Sequence, residues 1–145
     1  MTALLVDSSV LIKWFHREGE SEVAEARAIL DAHLREEIEA RIIELGLYEV
    51  GNVLLTSLHW KAREVSGQLE DLISICGPPL FVPMPWLQHA ARLSQASQLT
   101  FYDAAWAAAA QALGVALVSS DKRLQRAHLA ESPTEFSRRL RLRRA

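Results

Sequence analysis

Cysteine is nearly absent from this sequence. Cys76 is the only one among 145 residues, so no internal disulfide can form and no thiolate cluster can bind zinc. It precedes Gly77-Pro78-Pro79, a turn signal. Such usage fits a reducing compartment, and the cytoplasm is the expected location. Histidine is scarce and scattered. His16, His33, His59, His89 and His128 form no pair at ligand spacing and read as surface residues. Neither Gly-x-Gly-x-x-Gly nor Gly-x-x-x-x-Gly-Lys occurs, so no nucleotide cofactor is expected. Long apolar runs are missing too. The longest, Ala104 to Val118, is interrupted by Gln111 and Gly114 and is too short to span a bilayer. No basic, apolar leader precedes Asp7, so no signal peptide is expected. Nor does one sign of charge dominate. A formal net charge of −2 gives no overall basic field for non-specific nucleic-acid binding.

What is present is an ordinary globular balance, 50% hydrophobic and 23% charged, at a length that suits one domain. The charge is uneven. Acids crowd the stretch from Glu18 to Glu44, and the chain closes on "RRLRLRRA". The expected division is a domain over 1–137 and an arginine-rich tail over 138–145. That tail is read as solvated, or as a contact for RNA or a partner protein.

Apolar spacing sets the elements. A strand is expected over Ala3 to Val6, then a helix from Ser8 to Phe15 and another from Ser21 to Leu34. "ARIIEL", Ala40 to Leu45, reads as a strand. Leu47, Val50, Leu54 and Leu58 recur at helical spacing after it. Further helices are expected from Arg63 to Ile75, from Pro85 to about Gln95, from Thr100 to Gly114, and from Asp121 to Ala127. "LFVP" and "VALV" read as strands. Strands alternating with helices imply an α/β fold, a parallel sheet covered on both faces. Such sheets place their sites outside the carboxyl ends of the strands.

Four acids fall at that edge. Asp7 leaves the strand "ALLV", and Asp121 leaves "VALVSS". Glu49 and Asp103 lie near the starts of helices, which run opposite to the strands and so begin at the same rim. Each acid has a local reading as well. Asp7 and Asp121 suit helix N-caps, "TFYD" is a capping-box pattern, and Glu49 can be solvated. Four carboxylates at one rim repel unless something compensates them. A hard divalent cation such as Mg²⁺ or Mn²⁺, which prefers oxygen ligands, is the natural compensator. Ser8, Ser9, Ser119 and Ser120 stand beside the acids, with no Ser-His-Asp arrangement.

"LLVDSSVLIKW", "LYEVGNVL" and "LTFYDAAWAAAAQALGVALVSSDKRL" together resemble, in order and spacing, the PIN-domain ribonucleases, most closely the VapC toxins of toxin–antitoxin pairs. The likeness runs from Ala3 to about Leu124. It implies a three-layer α/β/α PIN-like domain with a central parallel sheet flanked by helices. It implies a metal-dependent endoribonuclease in which Asp7, Glu49, Asp103 and Asp121 are the catalytic and metal-binding acids. Ser8, Asn52 and Ser119 support them, and Lys13, Lys122 and Arg123 are candidate contacts for RNA phosphates. The implied cofactor is Mg²⁺ or Mn²⁺. The implied partners are an RNA substrate, an antitoxin and a second copy of the chain, with no membrane. Trp14, Phe15, Trp60 and Trp86 add aromatic bulk for a homodimer. Two positions depart from the family pattern: Ile43 stands where a Pro is common, and Lys122 and Arg123 follow Asp121 where some members carry a further acid. Two alternatives remain. One is a phosphohydrolase of the haloacid-dehalogenase type, whose Asp-x-Asp is here Asp7-Ser8-Ser9. The other is a catalytically inactive PIN-like binding module.

Overall fold

The computed structural model describes residues 1–143. Arg144 and Ala145, the end of the arginine-rich tail, lie outside the described residues. Strand β1 (Thr2–Val6) is the centre of a three-stranded parallel sheet, between β2 (Ile38–Arg41) and β3 (Ala116–Val118). Thr2 pairs with Ile38 and Leu5 with Arg41 on one side, and Leu4 with Ala116 and Val6 with Val118 on the other. Leu4, Leu5 and Val6 are fully buried, as the middle strand of a sheet covered on both faces must be.

The chain leaves β1 through α1 (Ser8–Phe15) and α2 (Val23–Leu34) to reach β2. It then passes through α3 (Leu45–Asn52), a π-helical segment (Val53–Ser57), α4 (Ala62–Cys76), α5 (Met84–Ser97) and α6 (Phe101–Leu113), and re-enters the sheet as β3. Because β2 and β3 lie on opposite sides of β1, the strand order reverses between β1 and β3. In α/β sheets that reversal opens a crevice at the carboxyl ends. Asp7 and the turn Ser119-Ser120-Asp121 flank it, joined by the hydrogen bond from Asp7 N to Val118 O (3.2 Å).

Helix α6 fixes the depth of the crevice. Its residues Ala104 to Ala110 are all buried, and the small alanines let it lie close against its neighbours. Its one large inward residue, Trp106, is 1% exposed and lies over Gly46 of α3. A Cβ on Gly46 would stand 3.1 Å from Trp106 Cη2, so glycine permits the approach. Val50 and Leu54 of the helical stripe are buried, and Leu47 and Leu58 are half-buried against the core.

Several boundaries differ from expectation. β2 runs from Ile38 to Arg41, before the expected Ala40 to Leu45, because Ile38 to Arg41 pair with β1 whereas Ile42 and Glu44 bond to Leu80. "LFVP" forms no strand. Leu80 makes an isolated parallel bridge with Ile43, and Pro79 and Pro83 around it have no N–H with which to extend a ladder. After α7 (Lys122–Arg126) comes a helix absent from the sequence reading, α8 (Pro133–Arg139), which crosses the expected domain boundary at residue 138. Of the aromatics assigned to a dimer surface, Trp14 is buried. Phe15 and Trp60 pack edge to face at 5.9 Å, and Trp86 is half-buried. The exposed rings are instead Tyr48, Phe81, Phe101 and Tyr102. Among the described residues, no helix is long and apolar enough to cross a membrane.

Candidate active site

Asp7 is both a helix cap and a buried acid. It is the N-cap of α1, and its Oδ1 accepts from Ser9 N (3.1 Å) and Ser9 Oγ (2.5 Å). It is also only 4% exposed. Burial pushes its pKa up to about 7, and the charges of Glu49 and Asp103 push the same way; the hydroxyls of Ser119 and Ser9 oppose them. A plain surface cap would feel neither the burial nor the two acids.

The other three acids reach the same rim from separate elements. Glu49, on α3, is half-buried, and its Oε1 accepts from the indole N–H of Trp106 (2.7 Å). Burial raises its pKa, Trp106 and Ser8 lower it through hydrogen bonds, and Asp103 raises it again by charge. Asp103 sits in the first turn of α6, where its backbone N–H is held by the N-cap Thr100 Oγ1 (3.1 Å). Burial and the neighbouring charge of Asp121 raise its pKa, and the Arg123 guanidinium works against them. Asp121 is the N-cap of α7, with Oδ1 accepting from Arg123 N (2.8 Å) and Leu124 N (3.1 Å). The coupling therefore runs from Asp7 to Glu49 and Asp103, and from Asp103 to Asp121.

Serines tie the rim together. Ser9 Oγ accepts from Ser120 N (2.9 Å), and the buried Ser119 Oγ accepts from Asp121 N (3.0 Å). The end of β1 and the end of β3 are thereby locked in one frame. Ser9 was expected only to stand beside the acids, and Trp106 was not singled out in the sequence. The signal for Trp106 was present: it lies three residues beyond Asp103 amid alanines, and a buried indole N–H requires an acceptor. Asn52 is exposed at the end of α3. Lys122 and Arg123 are exposed at the start of α7, at the rim. Lys13 is a correction. It lies in the last turn of α1, away from Asp7. It is 3% exposed, and its ammonium is taken by Glu20 Oε1 at 2.9 Å. His33 is likewise no surface residue. Its Nδ1 accepts from Ala40 N (3.0 Å) and its Nε2 faces Ile75 O (2.5 Å), which joins α2 to β2 and α4.

Among the described residues, no three His, Cys, Asp or Glu side chains converge closely enough to enclose an ion by themselves. A hydrated hard cation needs no such cage, because Mg²⁺ keeps several waters and takes one or two carboxylates directly. The donor set here is all oxygen. The ionised forms of Asp7, Glu49 and Asp103 are destabilised by burial and by neighbouring acids. The buried Ser120 Oγ beside them has no partner among the described residues. These features fit a cation held partly through water.

The comparisons with known proteins agree with the fold. The model of the PIN domain matches residues 4–129. The structure of PAE2754 from Pyrobaculum aerophilum is 26% identical, covers 97% of each chain and superposes with a TM-score of 0.66. A toxin–antitoxin complex from Klebsiella pneumoniae is 19% identical over 90% of this chain and 97% of that one, with a TM-score of 0.66. FitAB bound to an IR36 DNA fragment is 16% identical over 90% of this chain and 94% of that one, with a TM-score of 0.67. A comparison with curated proteins found no match. With a family model spanning most of its length and the sheet order and acidic crevice described above, the chain belongs to the PIN domain family.

Proposed function

We propose that this protein is a metal-dependent endoribonuclease and the toxin of a toxin–antitoxin pair. PIN domains are generally nucleases. The observation that carries the reading is the placing of four acids at the reversal of strand order, with the charges of Glu49 and Asp103 felt by Asp7 and that of Asp121 felt by Asp103. A carboxylate cluster of this kind is unfavourable alone and becomes favourable around a cation. A bound Mg²⁺ or Mn²⁺ supplies activation of water near neutral pH and charge neutralisation at the phosphodiester. The chain's own groups do the rest. Asp7 takes up a proton readily in the cation-free protein, where its pKa is about 7, and a bound cation would favour its ionised form. Hydrogen bonds from Trp106 and Ser8 favour the ionised form of Glu49 against its burial, and Ser9 and Ser119 orient Asp7. Lys122 and Arg123 stand where they can offset the acids and receive RNA phosphates, since the acids by themselves repel RNA.

The haloacid-dehalogenase alternative needs a second aspartate at residue 9. Ser9 stands there instead, and its hydroxyl is already donated to Asp7. The toxin role is supported by the toxin–antitoxin complex among the similar folds, and the partner proposed is an antitoxin that covers the acidic crevice. The homodimer suits the exposed face of Tyr48, Phe81, Phe101 and Tyr102, which lines a groove of about 340 Å³. Sedimentation showing only monomer at micromolar concentration counts against it.

The test is direct. Purified protein with Mn²⁺ is expected to cut a labelled structured RNA internally, and chelator is expected to stop it. Intact RNA under both conditions returns the chain to the status of a binding module.

A further inference from the structure

A groove of about 600 Å³ is lined by Ser97, Gln98, Arg123, Arg126 and Ala127, and Arg123 joins it to the acidic rim through its backbone N–H on Asp121. Its two cations share one face of α7, three residues apart. Both are exposed and neither makes a salt bridge among the described residues. Arg123 lies nearest the acids, at the N-terminal end of α7, where its charge is felt by Asp103. Arg126 lies one turn further from the rim. Gln98, in a left-handed conformation at the end of α5 (φ 53°), closes the other wall, two residues before the Thr100 cap of the Asp103 helix.

We propose that this groove is the track for the RNA backbone adjoining the cut, with Arg126 and Arg123 binding successive phosphates and the hydroxyl of Ser97 and amide of Gln98 facing the ribose. The proposal rests on the ribonuclease reading and adds a binding site to it. Four observations favour backbone over bases or protein. The groove shares Arg123 with the rim where a phosphodiester must sit. Its lining has no aromatic or large apolar side chain on which a base or a hydrophobic peptide could pack. Guanidinium groups match phosphate oxygens two at a time. Ser and Gln side chains pair readily with a 2′-hydroxyl, the group that distinguishes RNA from DNA.

The experiment is fluorescence anisotropy of a short unpaired RNA bound to the full chain, in chelator so that nothing is cut, across a range of salt. The variants are Arg126→Ala and Arg126→Lys. Arg126→Ala should weaken binding on the order of fivefold at low salt, and the slope of log K against log salt should become shallower by about 0.7. Arg126→Lys should keep the slope. With Mn²⁺, Arg126→Ala should raise KM for the longer RNA and leave kcat unchanged on a minimal substrate that ends before the groove. Parent affinity and parent slope in Arg126→Ala overturn the proposal, and so does a loss confined to binding of an acidic peptide. Failure of the parent to cut any RNA is a separate result. It overturns the ribonuclease reading, while the salt slope still decides the groove.

Discussion

Burial first, and then the charges of Glu49 and Asp103, leave Asp7 with a pKa of about 7 in the cation-free protein, against 3.8 for a free aspartate. Between those values the native state holds a proton that the unfolded chain has released. Stability therefore falls as pH rises from about 4 to about 7 and is level above that. The cation-free protein is expected to melt at a higher temperature at pH 5 than at pH 8. The difference is a few kcal/mol at most, at about 1.4 kcal/mol per pKa unit. Glu49 and Asp103, shifted in the same direction, add to the slope. In Asp7→Asn most of the slope should vanish. Melting curves in chelator at a series of pH values measure it, and an equal slope in parent and variant would show that Asp7 is not the source. At this scale the sequence was readable for acids and much less so for their supports. An aspartate after an apolar strand announces itself by position. The Trp106 indole on Glu49 and the Ser9 hydroxyl between Asp7 and Ser120 depend on how α6 crosses α3 and how β1 meets β3. Tertiary contact decides both.

Elements with strong local chemistry were legible. Thr100 caps α6 and Gly114 ends it in a left-handed turn, as the residue types suggest. Helix α8 carried an equally clear signal that went unread: Ser132 as cap, Pro133 at the first position and Glu135 in the first turn. β2 was displaced because "ARII" has no residue that marks where pairing stops; register with β1 sets its end. The crossing of α3 and α6 gives the sharpest prediction at this scale. In Gly46→Ala the new methyl meets the Trp106 ring at 3.1 Å, so the ring must give by a few tenths of an ångström, and its hydrogen bond to Glu49 is expected to weaken. Overpacking of this kind costs about 1–3 kcal/mol. Glu49 should then be harder to ionise, and Mn²⁺ affinity should fall more at pH 6 than at pH 8. Calorimetric titration at the two pH values checks this, and unchanged affinity at both would separate Trp106 from the site.

Across the whole molecule, the C-terminal segment is part of the fold before it is a tail. Arg139 makes a two-pronged contact with Glu131 (2.9 and 2.7 Å), and Leu140 and Leu142 pack against the core. Glu131 in turn accepts the backbone N–H of Ser119, whose hydroxyl serves the acidic rim. Deleting 138–145 should therefore lower the melting temperature, whereas deleting 143–145 should leave both stability and cleavage of a short RNA near parent values. Equal melting of the two truncations would detach the segment from the domain.

The central claim is that the four acids act together on a cation, with Asp7 as one arm and not merely a cap. Asn caps a helix about as well as Asp, so Asp7→Asn separates the two roles. The measurement is four melting curves, parent and Asp7→Asn, each in chelator and in Mn²⁺. In chelator at pH 8 the variant should melt at the same temperature as the parent or higher, because a buried charge is gone. Mn²⁺ at a hundred times its Kd should stabilise the parent by about 2.7 kcal/mol. The variant should lose most of that gain and its RNA cleavage with it. A parent indifferent to Mn²⁺, beside an Asn variant that still cuts RNA, would contradict the account and leave Asp7 a helix cap alone.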